Sequence, residues 1–187
     1  PSPEEITRFD SRELVRATRL LLDNGETDNL RAFFIRLNEV AQSAGERVLV
    51  GKLALEQGRD DLAVAVARRA DRESVFLVGA GWPVPQLHMD NDNGPEKALV
   101  LALIRQESGF MTDVQSPVGA RGLMQLMPDT AKHVARAIKV AFTPSKLDDP
   151  DYNVRLGSAY LGDMIDSFEG SYVMALAAYN AGPSRVR

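Results

Sequence analysis

The chain has 187 residues, a formal net charge of −4, 44% hydrophobic residues and no cysteine. That apolar fraction supports a packed core and argues against disorder, and the lack of cysteine excludes disulfides, thiolate zinc sites and thiol catalysis. No basic stripe offers phosphate contacts, so nucleic acid is not the expected partner, and no apolar run reaches the roughly 20 residues of a spanning helix.

Residues 10–78 carry helical periodicity throughout. Asp10 or Ser11 is placed to cap a first helix with Leu14, Val15, Thr18, Leu21 and Leu22 on one side and Gly25 at its end. A second helix starts near Thr27 or Asp28, presents Leu30, Phe33, Phe34, Leu37 and Val40, and has Gly45 beyond its end. A third carries Val48, Leu49, Leu53 and Leu55 and stops at Gly58; a fourth carries Leu62, Val64, Ala65, Val66 and Ala67. LLLDNGETDNL (20–30) echoes LALEQGRDDL (53–62) at a spacing suited to stacked helical hairpins. An ordinary small helical bundle is the alternative.

Residues 79–95, GAGWPVPQLHMDNDNGP, break the pattern with Gly, Pro and Asn and mark a domain boundary. Trp82, between glycine and proline, is expected to pack where two domains meet. MDNDNG fails the calcium-loop pattern, because Gly94 and Pro95 fall where an Asp or Asn and the glycine belong. It reads as a polar turn, and no metal is expected.

Pro95 suits a first helical position and opens a helix over 96–107. A glycine loop over 108–122 follows, then a helix after Pro128. The turn TPSKLDDPDYN leads into a helix from Asn153, and SYVMALAAYNAGP forms a last helix closed by Gly182 and Pro183. No alternating strand pattern competes, so the chain reads as all-α.

One carboxylate is out of place. ALVLALIRQESGF (98–110) is a nearly all-apolar helix that ends on Glu107, where the macrodipole and apolar neighbours both disfavour a charge. Both effects raise the pKa, as a general acid requires. A surface Glu paired with Arg105 or solvated at a frayed end is the alternative. Gly109 and Phe110 favour a sharp turn into a packed wall. SPVGARGLMQLMPDTA (116–131) sets the amide of Gln125 between Met124 and Met127, and AYNAG (178–182) places a phenol beside an amide, groups suited to a carboxyl or sugar hydroxyls.

RQESGF, SPVGARGLMQLMP, LDDPDYNVRLGSAYL and ALAAYNAGP, in this order and spacing, closely resemble the catalytic domain of soluble lytic transglycosylases. The resemblance covers about residues 83–187 and implies a goose-type lysozyme-like fold. Residues 1–82 are similar in character to the α-superhelical part that precedes this domain in large periplasmic members. The resemblance thus implies a helical-hairpin segment, 1–82, before a catalytic domain, 83–187. That domain is expected to be C-terminally incomplete, because the family continues past AYNAGP with helices that close the groove. The start at Pro1 without Met and the stop at Arg187 likewise read as a fragment or a processed chain.

The resemblance makes Glu107 the single catalytic acid and base, with Ser108 shaping the turn. Ser116, of the S-P-x-G-A loop, lies near that carboxyl; Gln125 and Met127 line sugar subsites; Tyr179 and Asn180 belong to the A-Y-N motif, the tyrosine hydroxyl near the Glu. Asn153 and Gly157 are expected to be structural, as an N-cap and a close-packing position. The implied activity cleaves the β-1,4 bond between N-acetylmuramic acid and N-acetylglucosamine in peptidoglycan and leaves a 1,6-anhydromuramyl end. The implied location is the periplasm, with glycan strands and cell-wall enzymes as partners and no cofactor. Asp113 is the one nearby candidate for a second carboxylate and more simply a solvated turn residue; were it in the site, hydrolysis by a goose-type muramidase would compete. An inactive helical-repeat scaffold that binds glycan or cell-wall enzymes is the reading from another class.

Overall fold

The computed structural model describes residues 1–26, 28–89 and 94–186. The described residues are helical, apart from turns and two isolated antiparallel bridges, Gln115 with Arg121 and Arg121 with Leu126. The fold is all-α, helical hairpins followed by a second helical domain. The chain divides into two compact units, Pro1–Pro85 and Gln86–Arg187.

The first unit holds α1 (Pro3–Ser11), α2 (Glu13–Asp23), α3 (Leu30–Val40), α4 (Ala44–Glu56), α5 (Asp60–Asp71) and the single turn α6 (Val78–Gly81). α1 was not legible from apolar spacing, since only Phe9 is buried on it. Its start is written in polar chemistry instead. Ser2 and Glu5 form a reciprocal capping box, and Pro3 follows the cap. α1 therefore runs through Asp10 and Ser11, and neither caps the next helix; Arg12 stands there without a side-chain cap bond. α3 begins at Leu30 after Asn29, later than Asp28, and Thr27 lies outside the described residues. Gly25 (φ +70°) and Gly58 (φ +64°) end α2 and α4 in the left-handed conformation, so the sequence echo marks two equivalent hairpin corners.

Gly45 lies inside α4, which Ser43 caps by accepting the Glu46 N–H at 3.1 Å. A Cβ at Gly45 would meet the Glu5 carboxyl at 2.2 Å. This glycine serves the close approach of α1, not a helix end. The unit's core includes Val15, Leu30, Phe34, Leu37, Val50, Leu62 and Val66. Beside it sits Glu46, its side chain fully buried, bonded by Arg8 Nε, by Arg12 Nη2 at 2.6 Å and by the Gln42 N–H at 2.8 Å. Trp82 is 56% exposed, against the expectation that it is packed.

The second unit holds α7 (Lys97–Glu107), α8 (Pro128–Ala137), a 3-10 turn (Pro144–Asp148), α9 (Pro150–Ser167) and α10 (Tyr172–Ala181). Pro95 precedes the α7 N-cap, Glu96, rather than occupying the first helical position; its ring lies 3.7 Å from where a Cβ on Gly162 would sit. α9 starts three residues before Asn153. Its cap is Asp149, which accepts the Tyr152 N–H at 2.9 Å. Asn153 is therefore not a cap but a buried residue of the first turns, with another task. The MDNDNG turn falls mostly on residues 90–93, outside the described residues. Among the described residues no helix is long and apolar enough to cross a membrane.

Candidate active site

α7 buries Val100, Leu101, Leu103 and Ile104 and ends on Glu107. Three donors converge on the Ile104 carbonyl: Ser108 N–H at 3.0 Å, Gly109 N–H at 3.1 Å and Ser108 Oγ at 3.1 Å. The same Oγ accepts the Phe110 N–H at 3.1 Å. Gly109 (φ +60°) and Phe110 (φ +67°) then reverse the chain, and Phe110 is buried. The helix end is thus sealed, not frayed. Glu107 is half-buried, and burial pushes its carboxyl above the ordinary glutamate range.

Glu107 lines a cleft of about 460 Å³ with Leu99, Ala102, Leu103, Gln106, Leu176 and Asn180. α7 supplies the acid and apolar floor, and α10 the amide of Asn180. No other carboxylate lines this cleft among the described residues. Asp113 is exposed.

Residues 114–127 carry three further expected site residues, Ser116, Gln125 and Met127, none of which lines this cleft. Ser116 closes a tight turn: its Oγ accepts the Ala120 N–H at 2.9 Å, and its backbone N–H donates to the Ala120 carbonyl at 2.8 Å. Gln125 takes a left-handed backbone (φ +47°), and its Nε2 donates to the carbonyls of Gly122 at 2.9 Å and Val114 at 3.1 Å. That amide nitrogen therefore braces the loop. Met127, just before α8, is 41% exposed.

Asn153 locates this loop on α9. Its Oδ1 accepts the Met124 N–H at 2.8 Å, and its Nδ2 donates to the carbonyls of Arg121 at 2.9 Å and Leu147 at 2.8 Å. Gly122 (φ +75°) fits against the same amide; a Cβ there would stand 2.3 Å from Asn153 Nδ2. Gly157 is a close-packing position, since its Cβ would lie 2.3 Å from Met124 Sδ.

The Tyr179 hydroxyl donates to the Met124 carbonyl at 2.8 Å. Burial first, then the charge of Glu107, then Tyr160, push this phenol well above its ordinary value. Tyr179 is thus held as a neutral hydroxyl, aimed by the loop and within electrostatic reach of the acid. Tyr160 packs on it, ring centroids 5.1 Å apart at 50°. Sequence reasoning missed Tyr160; its position in α9, one residue before the buried Leu161, carries no signal of its own. It also missed the apolar lining, because Leu99, Leu103 and Leu176 read as ordinary core. Among the described residues no group of three or more His, Asp or Glu could hold a metal.

Known proteins carry the same architecture. The profile of the transglycosylase SLT domain matches residues 88–187. The soluble lytic murein transglycosylase of Escherichia coli (strain K12) is 42% identical over 93 residues, 49% of this chain and 14% of that protein. The 70 kDa soluble lytic transglycosylase of Escherichia coli superposes with a TM-score of 0.77 at 27% identity, over 96% of this chain and 30% of that one. An inactive glutamate-to-glutamine mutant of the lytic transglycosylase Slt of Pseudomonas aeruginosa superposes with a TM-score of 0.78 at 31% identity, over 100% of this chain and 31% of that one. The chain thus spans under a third of the length of these relatives. With the profile on more than half of its residues and the same fold along nearly all of its length, the chain belongs to the transglycosylase SLT domain family.

Proposed function

We propose that the protein is a peptidoglycan lytic transglycosylase in which Glu107 is acid and base in turn. The observation that carries this reading is a half-buried carboxyl with a raised pKa, the one carboxylate lining the cleft among the described residues. A glycosidase with two carboxyl groups keeps them about 5–9 Å apart, and among the described residues Glu107 is the one carboxylate that lines this cleft. A single carboxyl suffices when the substrate supplies its own nucleophile. Glu107 gives its proton to the glycosidic oxygen as the bond to C1 breaks, and the sugar's 2-acetamido group stabilises C1. The carboxylate then takes the proton of the C6 hydroxyl as that oxygen bonds to C1 of the same sugar. The 1,6-anhydro ring closes, no water enters the product, and Glu107 is protonated again. Because the attack is intramolecular, its rate is set by geometry.

Tyr179 stays protonated through this cycle and presents a fixed dipole beside the acid. Asn180, exposed at the cleft, is assigned to glycan binding, as are Ser116, Gln125 and Met127, which do not line the cleft itself. The substrate places the protein in the compartment of the cell wall, the periplasm. Digestion of purified sacculi, with mass analysis of the products, tests the reading. Anhydromuramyl ends are expected, and reducing ends would replace the reading with a muramidase. Glu107→Gln is expected to abolish turnover while glycan binding persists.

A further inference from the structure

The 114–126 loop is cross-linked within itself. Gly122 N–H donates to the Val114 carbonyl at 3.0 Å, and Arg121 and Leu126 exchange both backbone bonds at 3.0 Å. Arg121 is the middle member of both bridges, with Gln115 on one side and Leu126 on the other. Such bonds shape a loop but do not locate it. Location comes from Asn153, from the Tyr179 hydroxyl and from the Arg121 side chain. Arg121 Nε donates to Asp148 Oδ1 at 3.1 Å, Nη2 donates to Oδ2, and Nη1 donates to the Pro144 carbonyl at 3.3 Å. A forked guanidinium–carboxylate pair fixes orientation as well as distance. Its far end is firm, because Asp148 closes the 3-10 turn directly before Asp149, the cap of α9. The side chains are 25% and 36% exposed, so the pair is partly shielded from solvent, and neither residue lines the cleft.

We propose that Arg121 and Asp148 form a positioning clamp for the reaction, acting through the loop on Tyr179 and so on Glu107; this rests on the acid/base reading above. The path is short. Arg121 sets the loop's register against α9, the register aims the Met124 carbonyl, and that carbonyl is the acceptor that orients the Tyr179 hydroxyl. A lysine at 121 keeps the charge and loses the fork, so it is not an equivalent clamp.

The test uses the full chain on purified sacculi, with Arg121→Gln, Asp148→Asn, their combination and Arg121→Lys. Each single loss is expected to lower kcat by about 10- to 100-fold, the scale of a small misplacement of reacting groups, with KM little changed. The combination is expected to be no worse than the poorer single variant, and Arg121→Lys to recover only part of the loss. Amide hydrogen exchange is expected to quicken over 114–126 in both single variants and to stay unchanged in α8 and α9, which also shows the variants folded. Unchanged exchange in the loop overturns the clamp whatever the activity. An active wild type with equally active variants overturns it too and leaves Glu107 in its role. A wild type that releases no anhydro ends sinks the acid/base reading instead, and loop exchange still decides whether the clamp exists.

Discussion

At the scale of the residue, burial of Glu107 costs stability only once the carboxyl gives up its proton. Its folded pKa is raised by burial. Its contribution is therefore fully present below the ordinary glutamate value of about 4.3 and is lost as pH rises through the higher folded value. Glu107→Gln is accordingly expected to melt higher than wild type at pH 7, with the gain shrinking toward pH 4; equal melting shifts at both pH values would contradict it. With Glu107 as the proposed general acid, the same raised pKa is expected to place the alkaline limb of kcat/KM above the ordinary glutamate range, since a general acid must start protonated. Asn153 is the opposite kind of polar residue, fully buried with every bond made. Removing it strips the Met124 N–H and the Leu147 carbonyl of this partner and leaves the Arg121 carbonyl with the Leu126 N–H, at about 1 kcal/mol or more for each unsatisfied group. Asn153→Ala is expected to destabilise by about 3 kcal/mol in denaturant titration and to lower kcat, because the Met124 peptide loses its anchor.

At the scale of the element, the glycines inside α4 and α9 report contacts rather than breaks. Gly51, in the middle of α4, faces Ala80 of α6, and a Cβ there would stand 2.5 Å from the Ala80 Cβ. Helix propensity favours alanine over glycine by about 1 kcal/mol, but overpacking a core costs about 1–3 kcal/mol. Gly51→Ala is expected to be neutral to destabilising alone and to become stabilising once Ala80→Gly makes room. Additive effects in that double-mutant cycle would show that the two helices do not meet there. Gly157 in α9 makes the same argument closer to the site, since methyl insertion pushes on Met124, whose backbone the site depends on.

At the scale of the whole molecule, the two units carry opposite responses to acid. In the first, burial alone would raise Glu46, but the Gln42 N–H, Arg8 and Arg12 outweigh it and hold the carboxyl below the ordinary range. Its stabilisation is present above the ordinary glutamate value and is lost as pH falls through the lower folded value. Glu107 in the second unit has the reverse sign. Lowering pH from 7 toward 3 is therefore expected to loosen α1 and α4 and to tighten α7. Hydrogen exchange, corrected for the intrinsic rate at each pH, reads both, and parallel change in the two helices would refute the pairing. Glu46→Gln removes the buried ion cluster and is expected to cost about 3 kcal/mol.

Periodicity and turn chemistry are local, so the sequence by itself determined most helices, the hairpin corners at Gly25 and Gly58, the end of α10 at Gly182 and the misplaced charge of Glu107. Four motifs in order were enough to indicate the family. What only the tertiary structure decided depends on partners far apart in sequence. α1 is held by a capping box rather than an apolar stripe. Gly45 is small because Glu5 approaches it. Asn153 looked like a cap because caps and buried connectors share one residue type, and only the fold puts Met124, Arg121 and Leu147 around it. Nor could spacing show that Gln125 braces its loop or that Tyr160 packs on Tyr179. A chain writes its hydrophobic rhythm residue by residue, but a hydrogen bond across 55 positions, such as Tyr179 to Met124, exists only once the helices have met.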